Sequence, residues 1–293
     1  MGMDTEQPKA GSHESGPVFK RPGGQDAAAL SRFIAAHERL FVLTGAGCST
    51  GSGIPDYRDA DGVWKGAQPM LHQTFIHNAE QRRRYWARSM AGWPAIAGAQ
   101  PNAAHAALAR LQERGRVAGL VTQNVDGLHA AAGSRGVVSL HGRLHRVQCL
   151  QCDTQYRRDF IQRLLLAANP DWQAQSTTLR PDGDIELEAA DYQQFRVPAC
   201  PRCGGMLKPD VVFFGGSVPK TRVARAWRRL QLADAVLVVG SSLMVWSGYR
   251  YVRAAAQQRL PIAAVNRGKT RADAWLDIKI DADCSTLLAA AVA

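Results

Sequence analysis

Short runs of apolar residues alternate along the chain with segments whose apolar positions recur at helical spacing. Leu30, Phe33 and Ile34 share one face of a helix that starts near residue 26, and an apolar run follows at 40–43. Further runs of this kind lie at 117–121, 235–239 and 262–265. Buried runs separated by helices indicate a parallel sheet covered on both faces. The sequence therefore predicts an α/β fold with a doubly wound, Rossmann-like parallel sheet.

Two stretches do not follow this alternation. Residues 66–100 have a helical pattern rich in Trp and Arg, and residues 144–210 contain two close pairs of cysteines. We interpret both as insertions that form a smaller lobe. The large lobe is then made of residues 26–65, 101–143 and 211–293. Residues 1–25 are rich in Gly, Pro, Ser and charge, with too few apolar groups to offset the entropy of ordering, and they predict a flexible tail.

Composition is typical of a globular protein. The 293 residues are 46% hydrophobic, which is enough to bury a full core. No apolar run reaches the roughly 18 residues that a membrane-spanning helix needs, and the start lacks a secretory leader, so the sequence predicts a soluble, cytoplasmic protein. The formal charge of +11 is spread over many arginines rather than gathered in one block, which argues against nucleic-acid binding as the main function.

A glycine-rich segment at 44–58 follows the first apolar run directly. Glycines there let backbone N–H groups approach a pyrophosphate, as dinucleotide sites require. The strict G-x-G-x-x-G spacing fails, because Thr50 occupies the third glycine position and Gly51 comes one residue later. A tight connection between strand and helix therefore stays open as the alternative. Asp56 and Arg58 at the end of the segment suit ribose and phosphate contacts.

Polar residues also follow the later strands. Gln123, Asn124 and Asp126 come after the run at 117–121, where amides and a carboxylate can hold an amide-bearing ring and ribose hydroxyls. A helix cap explains the same residues equally well. Ser241 and Asn266 follow the next two runs and suit contacts to ribose and adenine, although each is weak evidence alone.

One histidine has a setting typical of a catalytic base. His141 ends a short apolar strand at 137–138 and is followed by a glycine. An imidazole with a pKa near 6.5 is the natural general base at neutral pH. A single histidine is more often structural, so that alternative stays open, and His129 and His145 are weaker candidates.

Four of the six cysteines form two C-x-x-C pairs. The pairs are Cys149 with Cys152 and Cys200 with Cys203. Tetrahedral zinc favours four thiolates, and a closed four-cysteine site leaves no position for water, so the metal is predicted to be structural. A redox dithiol fits one pair and leaves the other unexplained. For Cys48 and Cys284 we expect packing roles, since neither has a neighbouring histidine in sequence.

Taken in order, these segments resemble the sirtuin family. The resembling segments are GAG at 45–47, SGIPDYR at 52–58, TQNVDGLH at 122–129, LHG at 140–142, KPDVVFFG at 208–215 and VVGSSL at 238–243, together with the two cysteine pairs. The match runs from about residue 40 to residue 284. RYWAR at 84–88, GWP at 92–94 and PDGD at 181–184 are similar to the class II branch, and we expect a bacterial member.

The resemblance implies that NAD is a co-substrate and that protein acyl-lysine is the substrate, with nicotinamide and O-acyl-ADP-ribose as products. It implies that His141 deprotonates a ribose hydroxyl and that Asn124 helps to hold the nicotinamide. The implied NAD contacts are Gly45, Ala46, Gly47, Ser49, Asp56, Tyr57, Arg58, Trp64, Gln123, Asn124, Asp126, Gly240, Ser241, Ser242, Asn266, Gly268 and Cys284. The implied substrate contacts are Tyr85, Arg88, Val212, Phe213, Phe214, Gly215, Leu243, Met244 and Val245.

Several points stay open at this level. Gly216 stands where the family usually has an acidic residue, which puts a preference for basic peptides in doubt. Tyr85 and Arg88 share a helix face and resemble a pair that binds acyl carboxylates, but Arg88 could equally face water. The alternatives to deacylation are mono-ADP-ribosyl transfer and a non-catalytic module that senses NAD or binds nucleic acid. A hydride-transfer dehydrogenase is disfavoured by the failed glycine spacing.

Overall fold

The computed structural model describes residues 24–65, 69–173, 180 and 193–293. Its helices are α1 (Gly24–Ala36), α2 (His72–His77), α3 (Ala79–Gly98), α4 (Ala103–Glu113), α5 (Leu128–Ala131), α6 (Arg158–Ala168), α7 (Lys220–Gln231), α8 (Trp246–Gln257) and α9 (Cys284–Ala291). Its strands are β1 (Leu40–Thr44), β2 (Val117–Thr122), β3 (Val138–Ser139), β4 (Gly142–Cys149), β5 (Gln155–Arg157), β6 (Leu207–Val211), β7 (Ala235–Val239), β8 (Ile262–Val265) and β9 (Ile278–Ile280). The tail predicted at 1–25 lies outside the described residues up to residue 23, as does PDGD at 181–184.

Six strands form one parallel sheet in the order β3-β2-β1-β7-β8-β9. Strands β1, β7 and β8 are buried along their whole length, which explains why each reads as a continuous apolar run. Val42 and Leu237 pack with α1, α4 and α9 on one face of the sheet. Phe41 and Val236 pack with α7 and α8 on the other. The predicted doubly wound parallel sheet is therefore confirmed.

The sheet also fixes where a ligand can bind. Strand β1 lies between β2 and β7, so the order of strands reverses at β1. In open α/β sheets the loops at the carboxyl ends of the strands diverge at such a reversal and leave a crevice. The loops after β1, β2, β7 and β8 meet at this end.

A second sheet is antiparallel and has three strands, in the order β5-β4-β6. It packs with α2, α3 and α6 around an aromatic core that includes Phe75, Trp86 and Phe213. We call this unit the small lobe, and we call the parallel sheet with its remaining helices the large lobe. The lobe boundaries given above by residue number stay a prediction.

The lobes meet in a separate apolar cluster. It contains Ile54 and Val125 from the loops of the large lobe, together with Trp93 and Ile96 of α3 and Leu144 of β4. The glycine-rich loop and the small lobe are thereby packed against each other. No helix in the described part of the chain combines the length and apolar character needed to span a membrane.

Candidate active site

A cleft of about 1310 Å³, including its open mouth, lies at the carboxyl ends of β1, β2, β7 and β8. We call it the first cleft. It brings together every residue that the family resemblance assigned to NAD except Gly268. Gly268 lies beside the cleft with φ +75, and a Cβ there would meet the Ala60 carbonyl oxygen at 2.1 Å. Close packing against the Ala60 backbone therefore explains why position 268 is a glycine.

The glycine-rich loop is pressed against the loop after β7. A Cβ on Gly45 would lie 2.8 Å from the Gly240 carbonyl oxygen, and one on Gly47 would lie 3.0 Å from Gly240 Cα. The N–H of Gly45 donates to Val239 O at 3.0 Å, and the N–H of Gly47 donates to Gly240 O at 2.9 Å. These two glycines are thus required by the contact between loops, since any side chain would separate them.

Asn124, Ser49 and Asp126 form a connected polar floor in the first cleft. Asn124 Nδ2 donates to Gly45 O at 2.9 Å and to Ser49 Oγ at 3.0 Å. Ser49 Oγ donates to Asp126 Oδ2 at 2.8 Å, and Asp126 Oδ1 accepts from Leu128 N at 2.9 Å. The last bond closes an Asx-type turn just before α5, whose N-cap residue is Gly127, so this local turn and a place in the cleft coexist. Asp126 stays buried because both carboxylate oxygens are hydrogen-bonded.

A loop at 56–65 covers one side of the first cleft. The Arg58 guanidinium lies 4.0 Å from the centre of the Trp64 ring and donates to Gly62 O at 2.6 Å. Trp64 in turn meets the Phe214 ring edge-on, with ring centres 5.4 Å apart. Asp56 forms an ion pair with Lys65. Arg58 therefore organises its own loop and links it, through Trp64, to the segment that follows β6.

His141 lies at the inner end of the first cleft, just beyond β3. Its Nδ1 is 2.9 Å from Gln123 O, and its Nε2 is 2.7 Å from Ser247 Oγ. A carbonyl oxygen only accepts, so we assign the proton to Nδ1, which leaves Nε2 to accept from the Ser247 hydroxyl. Burial lowers the pKa of His141 to about 4, against a raising contribution from Gln123, and the Arg222 and Arg250 charges lower it further. The ring is therefore neutral at pH 7, as a general base must be.

Ser247 was missed by sequence reasoning. It lies in the first turn of α8 and is 7% exposed. A serine there carries no spacing or motif that distinguishes it from any helix-start residue. Only the fold brings α8 next to the end of β3.

A second cleft opens on the other side of His141. The two clefts share His141, Val212, Phe214 and Val245, so they adjoin each other at these residues. Of the predicted substrate residues, the second cleft takes Val212, Phe213, Phe214, Gly215 and Val245. Leu243 and Met244 line the first cleft.

Tyr85 and Arg88 lie outside the walls of both clefts. The Tyr85 side chain is 2% exposed and packs in the small-lobe core, with ring centres 5.1 Å from Phe213 and 5.4 Å from Phe75. Arg88 is half-buried one turn further along α3. Among the described residues, the walls of the two clefts include neither side chain. Tyr85 approaches the second cleft through Phe213.

The four paired cysteines converge at one end of the small lobe. Their sulfur atoms all lie within 4.8 Å of one another. Cys149 Sγ is 3.5 Å from Cys203 Sγ, and Cys152 Sγ is 3.8 Å from Cys200 Sγ. Tetrahedral zinc with bonds of about 2.3 Å needs sulfur separations of about 3.8 Å. These contacts join one pair to the other, which fits four ligands around one ion better than two separate dithiols.

The packing roles expected for the other two cysteines stay a prediction: Cys284 also lines the first cleft, and Cys48 Sγ lies within 4.8 Å of a ring nitrogen of both His105 and His129. Cys48 and Cys284 are both buried in the core on the α1, α4 and α9 face of the sheet. Burial raises the pKa of Cys284 to about 12 and also raises that of Cys48. Neither thiol supplies a thiolate near neutral pH.

Comparisons with known proteins show the family of this chain. Residues 45–247 match the model of the Sir2 family. The chain is 58% identical over 267 residues to an NAD-dependent protein deacetylase of Bordetella bronchiseptica, covering 91% of this chain and 97% of that protein. It is 56% identical over 260 residues to the protein of that name in Xanthomonas axonopodis pv. citri, covering 89% of each.

Solved structures give the same result. A structure described under the mechanism and regulation of Sir2 enzymes has a TM-score of 0.72 at 29% identity and covers 92% of this chain and 96% of its own. A Sir2 structure with a p53 peptide and NAD⁺ has a TM-score of 0.69 at 26% identity, covering 88% and 93%. This chain therefore belongs to the Sir2 family.

Proposed function

We propose that this protein is an NAD-dependent protein-lysine deacylase that releases nicotinamide and O-acyl-ADP-ribose. The observation that carries the proposal is the neutral His141 at the junction of two clefts, one lined by the polar floor and the other open to a peptide. The relatives named NAD-dependent protein deacetylase and the Sir2 structures with acetylated peptide support it. The cytoplasmic location stays a prediction.

In this proposal NAD occupies the first cleft and supplies the ribose carbon that receives the acyl oxygen while nicotinamide leaves. Asn124 and Asp126 bind the nicotinamide and its ribose, and Ser49 keeps both side chains in register through its hydroxyl. His141 Nε2 accepts a proton from a ribose hydroxyl. The Ser247 hydroxyl, which donates to that nitrogen, must first rotate away. Ser247 therefore holds the imidazole in place until substrate arrives.

The acyl-lysine peptide enters through the second cleft. Its backbone lies between the segments 212–215 and 243–245, which line the two clefts beside His141, in the manner of a strand added to a sheet edge. The four cysteines hold one zinc ion, whose closed coordination gives it a structural role only. Zinc therefore supports the small lobe and takes no part in the chemistry.

The test is incubation of the enzyme with NAD and an acetyl-lysine peptide, followed by mass spectrometry. We expect deacetylated peptide, nicotinamide and O-acetyl-ADP-ribose in equal amounts. ADP-ribosylated protein without deacetylated peptide would instead support the transferase alternative. NAD binding with no product in any acyl series would support a sensing module.

For the acyl group we propose a preference for acidic chains, read by Tyr85 and Arg88. The two side chains share a face of α3, and Tyr85 contacts Phe213 in the wall of the second cleft. A guanidinium beside a phenol is a suitable receptor for a carboxylate. The measurement is kcat/KM for glutaryl and acetyl peptides in wild type, Arg88→Ala and the exposed control Arg84→Ala.

Loss of a desolvated charge pair should cost about 2–5 kcal/mol for the glutaryl substrate alone. Arg84→Ala should leave the ratio of the two substrates as in wild type. An acetyl preference already present in wild type, or an equal loss on both substrates in Arg88→Ala, would remove Arg88 from this role. The deacylase proposal itself would survive that result.

A further inference from the structure

The second cleft carries positive charge, and among the described residues no carboxylate lies in its wall. Its charged lining residues are Lys220 and Arg250, and neither Asp nor Glu lines it. Gly216 is also in the wall, at the position where the family resemblance places an acidic residue. A negative group on a bound peptide would therefore meet cations and no competing anion there.

Arg250 differs from the other arginine near His141. Arg222 donates to Asp210 Oδ1 at 2.6 Å, so its positive charge is already paired with a carboxylate. The Nε atom of Arg250 is buried and has no hydrogen-bond partner among the described residues. Its guanidinium carbon lies 5.9 Å from the centre of the Tyr251 ring, which is a weak contact. A buried charged donor without an acceptor is costly, so an anion that reached Arg250 would be bound favourably.

Arg250 also lies on the substrate path. It comes one turn after Ser247 on α8, so the two side chains share a helix face. Ser247 Oγ contacts His141 Nε2 directly, and the charge of Arg250 is felt at His141. A peptide whose acyl-lysine reaches His141 must therefore pass close to Arg250.

The carboxylate that fits this position belongs to the peptide rather than to the acyl group. The acyl oxygen must reach the ribose in the first cleft, beyond His141, so the acyl chain extends towards His141 rather than along α7 and α8. Side chains next to the lysine stay in the second cleft, between α7 and α8. Tyr85 and Arg88, the proposed acyl contacts, lie on α3 in the other lobe.

We infer that Arg250, with Lys220 at the rim, forms a carboxylate subsite that selects acyl-lysine substrates bearing Asp or Glu beside the acylated lysine. The subsite rests on the proposed deacylase function. Arg250 supplies a planar fork that can bind a carboxylate in two places, whereas Lys220 is exposed and acts as a point charge. Lys220 should therefore contribute less.

The experiment uses matched acetyl-lysine peptides in which one neighbouring residue at a time is Glu, Ala or Lys. The readout is the ratio of kcat/KM for the Glu peptide to that for the Ala peptide, because a general effect on catalysis cancels in the ratio. We expect wild type to favour Glu at one position or more by about 10-fold to 100-fold, the range for a hydrogen bond to a charged group. High salt should reduce the ratio.

Arg250→Met should bring the ratio close to one, and Lys220→Met should reduce it less. Arg250→Glu should reverse the preference towards the Lys peptide, and Arg250→Lys should keep part of the Glu preference. Arg253→Met is the matched control, since Arg253 is exposed on the same helix and lies outside both clefts. It should retain the wild-type ratio.

Failure of the carboxylate subsite can be distinguished from failure of the proposed function. Absence of deacetylation of every peptide would overturn the proposed function. Deacetylation of the Ala peptide with a wild-type ratio near one at every position would overturn the subsite alone, even if Arg250→Met failed to fold. A loss in Arg250→Met confined to a glutaryl-lysine peptide with neutral neighbours would show that the carboxylate is at the acyl end, and would also overturn it.

Discussion

The two lobes differ in what holds their cores together. In the large lobe the parallel sheet has an apolar core on each face, and strands such as β1 and β7 are buried from end to end. The small lobe has one core and a short antiparallel sheet, with four cysteines gathered at one end. Two of them, Cys149 and Cys200, are themselves part of that core.

This difference separates stability from chemistry. The large lobe holds His141 and the polar floor, and the four-cysteine cluster of the described residues lies in the small lobe instead. The small lobe contributes Phe213 to the wall of the second cleft. We therefore expect the metal to govern the folding of one lobe, and side chains of the other lobe to govern the reaction.

The largest effect should come from removing the metal. Structural zinc provides about 10–16 kcal/mol of apparent binding free energy in small modules, and that energy is folding energy. A strong chelator under reducing conditions should therefore abolish hydrogen-exchange protection in α3, α6 and β4 while β1, β7 and β8 keep theirs. Hydrogen exchange read by mass spectrometry distinguishes the two lobes.

Metal analysis supplies the control for this prediction. Folded protein purified under reduction should contain one zinc per chain, and Cys149→Ala should contain far less. Cys48→Ala, which changes a buried cysteine of the large lobe, should keep one equivalent. Well under one equivalent in the folded wild type would contradict the structural zinc.

The next largest effect concerns the proposed base. His141→Ala should lower kcat by about 10²–10⁴-fold, the usual cost of removing a general base, because the imidazole beside Gln123 O and Ser247 Oγ is lost. NAD affinity, measured by calorimetry, should survive, since His141 acts on the chemical step. His145→Ala, which changes an exposed histidine of β4, should remain active. Near-normal turnover in folded His141→Ala would remove it from catalysis.

Truncation of one core leucine in each lobe tests whether the two lobes unfold separately. Leu237 in the large lobe and Leu165 in the small lobe are both fully buried, and truncation of either to Ala should cost about 2–5 kcal/mol. In urea titrations with chelator present, Leu237→Ala should lower the free energy of unfolding of the remaining large lobe. Leu165→Ala should leave that transition unchanged and weaken zinc retention instead. Leu166→Ala, at a position 50% exposed, is the matched control.

The sequence predicted the strands of the large lobe better than those of the small lobe. Continuous apolar runs located β1, β2, β7 and β8, because strands buried on both faces leave that pattern. Strand β9 was missed, since it has three residues of which only Ile280 is buried. In the small lobe the cysteine spacing predicted a metal cluster, but spacing alone could not predict the three-stranded sheet around it.

The candidate site was predictable where polar residues follow strands in an ordered set of motifs. The contacts between them were not, because they depend on which loops meet in space. Ser247 and Arg250 show this limit, since both come from a helix start distant in sequence from His141. The glycines of the first loop show it too, because their close contact with Gly240 depends on the order of strands.

The smallest effect is a pH dependence that belongs to the large lobe. His129 is 2% exposed, its Nε2 is 2.8 Å from Thr44 Oγ1, and burial, with a contribution from His105, lowers its pKa to about 3. An unfolded histidine has a pKa of about 6.5, so between these values the unfolded chain binds a proton that the native state excludes. Stability must therefore fall as pH falls through this window, by about 2 kcal/mol per such histidine between pH 7 and pH 5. With chelator present, so that zinc release cannot contribute, the free energy of unfolding of wild type should drop more steeply than that of His129→Gln by this amount. Parallel curves for the two proteins would show that His129 does not carry the dependence.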